Sequence, residues 1–311
     1  MILAPLQGLT EVLFRRVYEE CYPGAIAQAV TPFLSLTHNI QYSKGNSRQT
    51  YLSDVLPENN KGSIPVTPQI LGREPEEFVE LVRILADMGY NEVNWNIGCP
   101  MRAVTGKRRG SGILPYPDEV RRVLDSVVPR LACQLSVKMR IGLRDKREIF
   151  EVIPVLNDYP LASVTIHPRT GRQQYGGTVD LDIFGEALPL LNVPVIYNGD
   201  ICTAADARRI KERFPQVADL MVGRGVLYNP LLPLQINGID THFVMPPTQF
   251  IRHLIEAINV GKSSEASRMR KTKEYWGLLW RALPISEIQA REVLRAQDLA
   301  AVDNLINDFT Q

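Results

Sequence analysis

Short apolar runs recur along the first three quarters of the chain, each followed by a polar break and then by a stretch whose apolar positions repeat at helical spacing. The runs fall at residues 1–5, 25–30, 65–72, 92–96, 135–141, 162–167, 193–197 and 219–222, which predicts eight strands. None alternates cleanly between apolar and polar positions, the pattern of strands buried on both faces of a parallel sheet. Between them, Phe78, Leu81, Val82, Leu85 and Met88 form a helical stripe opened by Pro75 and stopped at Gly89. Further helices are predicted over 117–128, 147–156, 181–191 and 204–214, the last capped by Thr203. Another starts near Thr10, read as its N-cap, and carries Leu13, Phe14, Val17 and Tyr18. Residues 37–61 are polar and read as a long loop with one helical piece.

Eight strand-helix units in this length fit an α/β (β/α)8 TIM barrel better than an open doubly wound sheet. The first strand is not followed by the G-x-G-x-x-G turn of a dinucleotide fold. After Pro230 the texture changes. Met245-Pro-Pro247 reads as a linker, and helices are predicted over 250–260, 265–280, 286–295 and 298–309. The expected organisation is a barrel over 1–240 and a small C-terminal all-α helical bundle over 241–311.

Composition narrows this little. Hydrophobic residues make up 45% of the 311, and the net charge is +1, so a protein that coats nucleic acid through overall charge is excluded while a local basic patch is not. No run is long enough for a transmembrane helix, and no signal peptide is expected. Cys21, Cys99, Cys133 and Cys202 lack metal spacing, so free thiols, a cytoplasmic location and no metal are expected.

The candidate chemistry lies at the strand exits, where barrels place it. In order these exits present Pro5, Leu6 and Gln7, then Gln69, Asn96 with Cys99, Lys138 with Arg140, His167 with Arg169, Asn198-Gly-Asp200, and Gly223-Arg-Gly225. Lys138, inside a barrel strand, needs an anionic partner or must lose its charge. A delocalised anion such as a reduced flavin suits it; a structural pairing with Asp200 is the competing reading. Gly199 and Gly223 with Arg224 follow the last two strands, where backbone N–H groups can hold phosphate or where a tight turn alone would form. His167 is either a satisfied core histidine or a cofactor contact. Cys99, between Gly98 and Pro100, is either a small buried residue or a reactive centre. With no base nearby in sequence it suits proton donation better than nucleophilic attack. Arg102, Lys107, Arg108 and Arg109 follow it. Arg268, Arg270, Lys271, Lys273 and Arg281, interleaved with Tyr275, Trp276 and Trp280, form either a solvated helix face or a nucleic-acid patch.

Seven stretches carry a resemblance: Leu3-Ala-Pro-Leu-Gln-Gly8, Gln69-Ile-Leu-Gly72, Asn96-Ile-Gly-Cys-Pro100, Ser136-Val-Lys-Met-Arg140, His167-Pro-Arg-Thr170, Asn198-Gly-Asp-Ile201 and Val222-Gly-Arg-Gly225. Together they resemble the tRNA-dihydrouridine synthases. The Lys271-Thr-Lys-Glu-Tyr-Trp276 run is most similar to the bacterial C-type subfamily, which acts on the D-loop. The resemblance implies FMN in the barrel, NADPH as reductant, hydride delivery to C6 of a uridine and protonation of C5 by Cys99. It implies flavin contacts from Ala4, Pro5, Leu6, Gln7, Gln69, Lys138 and His167. Phosphate contacts would come from Asn198, Gly199, Asp200, Gly223 and Arg224, and contacts to the flipped uracil from Asn96 and Tyr175. Arg102, Lys107, Arg108, Arg109, Arg140, Arg169, Arg270, Lys271 and Lys273 are implied on the tRNA side, with the protein a monomer. The alternatives are a flavin barrel reductase acting on a free pyrimidine, similar to dihydroorotate dehydrogenases, and a non-catalytic RNA-binding barrel.

Overall fold

The computed structural model describes residues 1–35, 52–261 and 264–310. Nine parallel strands form one sheet: β1 (Ile2–Leu3), β2 (Gln28–Val30), β3 (Val66–Thr67), β4 (Gln69–Ile70), β5 (Glu92–Ile97), β6 (Gln134–Gly142), β7 (Val164–Thr170), β8 (Val195–Asn198) and β9 (Asp219–Val222). The pairing runs β3-β2-β1-β9-β8-β7-β6-β5-β4. β3 and β4 flank Pro68, which has no N–H to give a ladder. They are one barrel strand interrupted there: Ala29 and Val30 pair with its first half, Asn94 and Trp95 with its second. The sheet therefore closes on itself as an eight-stranded barrel, as the sequence pattern predicts.

The helices around it are α1 (Val12–Cys21), α2 (Pro75–Asp87), α3 (Arg102–Thr105), α4 (Pro117–Val127), α5 (Glu148–Asn157), α6 (Leu181–Ala187), α7 (Ala204–Arg213), α8 (Arg224–Tyr228) and α9 (Leu232–Ile236). Each longer one turns its apolar stripe to the strands, as Phe78, Leu81, Val82 and Leu85 of α2 do. Thr203 caps α7 through a reciprocal pair with Asp206. Thr10, expected as the cap of α1, does something else. Its hydroxyl accepts from the Leu6 amide and donates to Ala4 O, pinning the first loop. The carboxylate of Asp54, remote in sequence, receives the Val12 amide and caps α1 instead. Of the predicted loop over 37–61, residues 37–51 lie outside the described residues; the remainder contains a 3-10 turn over Pro57–Asn59.

The tail comprises α10 (Pro247–Gly261), α11 (Glu265–Leu279), α12 (Glu287–Arg295) and α13 (Leu299–Thr310). It shares a core with the barrel. Phe250 of α10 meets Phe14 edge-on with ring centroids 5.9 Å apart and also touches Tyr18 and Tyr22. Tyr275 of α11 stacks on Phe14 at 6.0 Å. Trp276 stacks on Phe309 and donates to Ala290 O. Tyr275 and Trp276, read from sequence as interleaved with a basic face, are core residues, because they follow Thr272 onto the buried side of the helix. No helix among the described residues is long and apolar enough to cross a membrane.

Candidate active site

A cavity of about 360 Å³ opens at the C-terminal end of the barrel. β1 contributes Ala4, Pro5, Leu6 and Gln7 at its exit; β5 contributes Asn96 and Cys99; β6 contributes Lys138 and Arg140; and β7 contributes His167. Asn198, Gly199 and Asp200 follow from β8, and Gly223 and Arg224 from β9. Tyr175, on the loop after β7, completes the set brought together from the sequence reading.

Asn96 shapes the turn that carries the thiol. Its Oδ1 accepts the amides of Gly98 at 3.0 Å and Cys99 at 2.9 Å, and its Nδ2 donates to Gln69 Oε1. Its carbonyl oxygen is thus engaged with the protein. Gln69 does not line the cavity. It is fully buried inside the barrel and donates to Asn94, which donates in turn to Ser136. This polar ladder supports Asn96 from below. Ser111 closes the other side of the turn, its amide and hydroxyl both donating to Cys99 O at 3.0 Å. Burial pushes the Cys99 thiol up, against the lowering effect of the Met101 amide and of Arg140 and Lys138. The sulfur is therefore a protonated thiol near neutrality, suited to giving a proton.

Lys138 faces the cavity with no hydrogen bond or ion pair to its Nζ among the described residues. Burial, aided by Arg140, pulls its ammonium down to about 7. The alternative pairing with Asp200 does not form. Asp200 is held by Arg169, Nη1 to Oδ1 at 2.9 Å and Nη2 to Oδ2 at 2.5 Å, and by Arg224 at 3.1 Å. Its carboxylate thus positions two guanidinium groups, and its own backbone has φ +46°.

Arg169 and Arg140, both 2% exposed, are scaffolding. Arg169 also donates to the carbonyls of Gly176 and Gly177. Arg140 donates to Gly98, Thr170 and Gln174 carbonyls. Between them they fix the turn of Cys99 and the loop of Tyr175. Both were expected on the tRNA side; in this structure backbone carbonyls and Asp200 engage their donors. His167 Nε2 lies 3.2 Å from Arg169 Nη1. A guanidinium only donates, so Nε2 accepts and the remaining proton is assigned to Nδ1. Burial and the surrounding cations hold the imidazole well below its ordinary value, hence neutral.

Gly199 sits where a side chain would be strained, and Gly223 where one would fit only tightly. A Cβ on Gly199 (φ +148°) would lie 2.9 Å from Val179 Cγ1, and one on Gly223 would lie 3.3 Å from Ala4 Cβ. Asn198 Nδ2 ties β8 to Met221 O of β9. Tyr175 is half exposed, with the Arg224 guanidinium 4.6 Å and that of Arg140 5.6 Å from its ring centroid.

The basic residues divide. Arg102 and Lys107 are exposed on and after α3. Lys107, Arg108 and Arg109 line a separate shallow depression with Arg73 and Glu74. There Glu119 bridges Arg73 and Arg108. On α11, Arg270 is exposed. Lys271 is buried, reaching Gly8 O, Glu11 and Glu274, and Lys273 donates to Ala296 O at 2.5 Å. The single basic face expected from the spacing is corrected: two of its lysines bind protein groups. Sequence reasoning also missed cavity residues. Phe33 follows the second strand, so the strand-exit rule could have found it. Leu278 of α11 comes from the tail, and no local signal points it at a barrel.

The family model described as "Dihydrouridine synthase (Dus)" matches residues 2–287. A probable tRNA-dihydrouridine synthase of Rhodobacter capsulatus is 31% identical over 238 residues, covering 76% of this chain and 70% of that protein. The tRNA-dihydrouridine synthase B of Escherichia coli K12 is 29% identical, covering 79% and 74%. The tRNA-dihydrouridine(16) synthase of Cupriavidus necator is 28% identical, covering 77% and 74%. Among solved structures, morphinone reductase superposes with a TM-score of 0.52 at 14% identity, covering 80% of this chain and 88% of its own, a likeness of fold. With its matched stretch running from the first barrel strand into the tail, the chain belongs to the dihydrouridine synthase family.

Proposed function

We propose that the protein reduces a D-loop uridine of tRNA to 5,6-dihydrouridine, with FMN in the barrel cavity and NADPH as reductant. The observation that carries this is one cavity lined by both the Cys99 thiol and the Lys138 amine, the latter with no hydrogen-bond partner among the described residues. The residues fit the cofactor. Lys138 is an amine without a partner among the described residues, which a bound anion would hold in its charged form. Arg224 offers a guanidinium, and Gly199 and Gly223 leave the backbone bare where a phosphate must approach closely. In this reading Ala4, Pro5, Leu6, Gln7, Lys138 and His167 hold the ring system. Asn198, Gly199, Gly223 and Arg224 hold the phosphate, with Asp200 orienting Arg224. Gln69 acts only through Asn96.

The flavin, when bound, supplies hydride derived from NADPH to C6 of the uracil. Cys99 gives its proton to C5, so the C5–C6 double bond is saturated and a thiolate remains, to be reprotonated from water. Lys138 and Arg140 stabilise that thiolate by charge. Tyr175, half exposed at the cavity, offers its ring to the flipped base. Asn96 holds the Cys99 turn at the proper reach. Arg102, Lys107, Arg109 and Arg270 are the side chains read as phosphate contacts, with Arg108 divided between RNA and Glu119. The helical tail over 241–311 is read as part of the RNA-binding surface, in a monomer working where tRNA is found, in the cytoplasm.

The test is direct. The purified protein is expected to be yellow, or to bind added FMN, and to form dihydrouridine in tRNA with NADPH but not to reduce free uracil or orotate. Mapping the product gives the position, for which the relatives' names differ. A colourless protein that takes up no FMN and leaves tRNA unchanged would sink the reading.

A further inference from the structure

The loop between β1 and α1 is the cavity wall that carries Leu6, Gln7 and Leu9. Two of its backbone carbonyls are held from outside the barrel, both by α11. The Lys271 ammonium, in a side chain 10% exposed, donates to Gly8 O and sits 3.1 Å from Glu11 Oε2 and 3.3 Å from Glu274 Oε2. One helical turn on, Tyr275 OH donates to Leu9 O at 2.6 Å. One further turn on, Leu278 lines the cavity itself. Residues 271, 275 and 278 follow the i, i+4, i+7 spacing of one helix face. Gly8 has φ +80°, and a Cβ there would strike Glu274 Oε1 at 2.5 Å, so helix and loop are in close contact. Within the loop, the Leu9 and Thr10 amides both return to Leu6 O.

We infer that Lys271 and Tyr275 are positioning residues, by which a helix of the tail holds the first loop of the barrel against the cavity. Residues that look like RNA-facing tail from sequence are thereby part of the wall of the active site. The tail is not a detachable binding module, and a displacement of α11 is transmitted to Leu6 and Gln7. The consequence for cofactor binding rests on the FMN reading above; the hold on the loop does not.

The test uses the full chain with Lys271→Met and, as the milder change, Tyr275→Phe, which keeps the ring on Phe14. Amide exchange over residues 4–10 is expected to quicken about tenfold, as loss of one strong hydrogen bond allows, and FMN to bind about tenfold more weakly. Exchange over 148–157, in the helix that follows β6 across the barrel from β1, stays as in the parent. In steady state the weaker cofactor affinity is overcome by added FMN, restoring kcat without a change in the KM for tRNA. Parent-like exchange over 4–10 in both variants overturns the inference, as does quickening spread evenly over the chain. If the parent itself binds no FMN, the proposed function fails, and the exchange measurement alone decides whether α11 holds the loop.

Discussion

Arg169 grips Asp200 at two points, Nη1 to Oδ1 at 2.9 Å and Nη2 to Oδ2 at 2.5 Å, and so joins the exit of β7 to the exit of β8. The same guanidinium holds the carbonyls of Gly176 and Gly177, next to Tyr175. Arg169→Met removes a nearly buried cation and leaves these acceptors unmatched. It is expected to lower stability by about 3 kcal/mol in urea unfolding, within the range for breaking a buried pair. Limited proteolysis should then cut the 171–179 loop first. An unchanged midpoint with an intact loop would show that the pair holds nothing in place.

Cys99→Ala separates the two half-reactions. Reduction of bound flavin by NADPH should proceed normally, and dihydrouridine formation should fall by about 10²-fold or more, the usual worth of a general acid. Because burial raises the thiol, the acid form persists up to its ordinary value of 9.0 and beyond. Activity should therefore decline only on the alkaline side of that value, as the proton is lost. Full turnover in the alanine variant would remove the proton-donor role.

Lys138 makes the cofactor-free protein less stable than it could be. Its ammonium is drawn from 10.5 down to about 7. Between those values the unfolded chain holds a proton that the folded chain does not, so stability rises with pH across that window. Below about 7 the folded chain carries the buried charge and the penalty is complete. Lys138→Met should stabilise the FMN-free protein by about 2 kcal/mol at pH 6, allowing for water in the cavity, and by little near pH 10.5. The same variant should bind reduced flavin poorly. Equal gain at both pH values, read from melting curves, would contradict the electrostatic account.

On the tail, Arg270 and Lys273 test RNA contact differently. Arg270 is exposed, so Arg270→Glu should weaken tRNA binding and lower the slope of log affinity against log salt by about 1, with flavin content unchanged. Lys273→Glu should also weaken binding, but it breaks the bond to Ala296 O, so its melting temperature should fall while that of Arg270→Glu does not. Filter binding over a salt series measures both, and parent-like affinity for Arg270→Glu at low salt would exclude a phosphate contact there.

The barrel was legible because buried parallel strands leave apolar runs, and because strand exits collect polar side chains. Asn96, Cys99, Lys138 and His167 meet in one cavity for that reason. What the sequence could not show was how side chains divide their hydrogen bonds. Arg140 and Lys138 lie two apart on one strand and face the same cavity, yet Arg140 is occupied by three carbonyls and Lys138 by none among the described residues. Nor does spacing reveal that Lys271 turns inward, since its acceptors, Gly8 O and Glu11, are remote in sequence. The Pro68 break in the third barrel strand was likewise read through, because the chain stays extended on either side.

Ser111 fastens its amide and hydroxyl to the carbonyl of Cys99, so the chain from 99 to 111 begins and ends at nearly the same point. Within that noose lie Arg102, Lys107, Arg108 and Arg109. A tethered Ω-like loop of this kind can exchange its charges without moving its neck. Drift in the noose would change which RNA surface is greeted, while the sulfur at the neck keeps its station. On the function proposed above, target choice and bond chemistry could thus be inherited separately, although they share thirteen residues of chain.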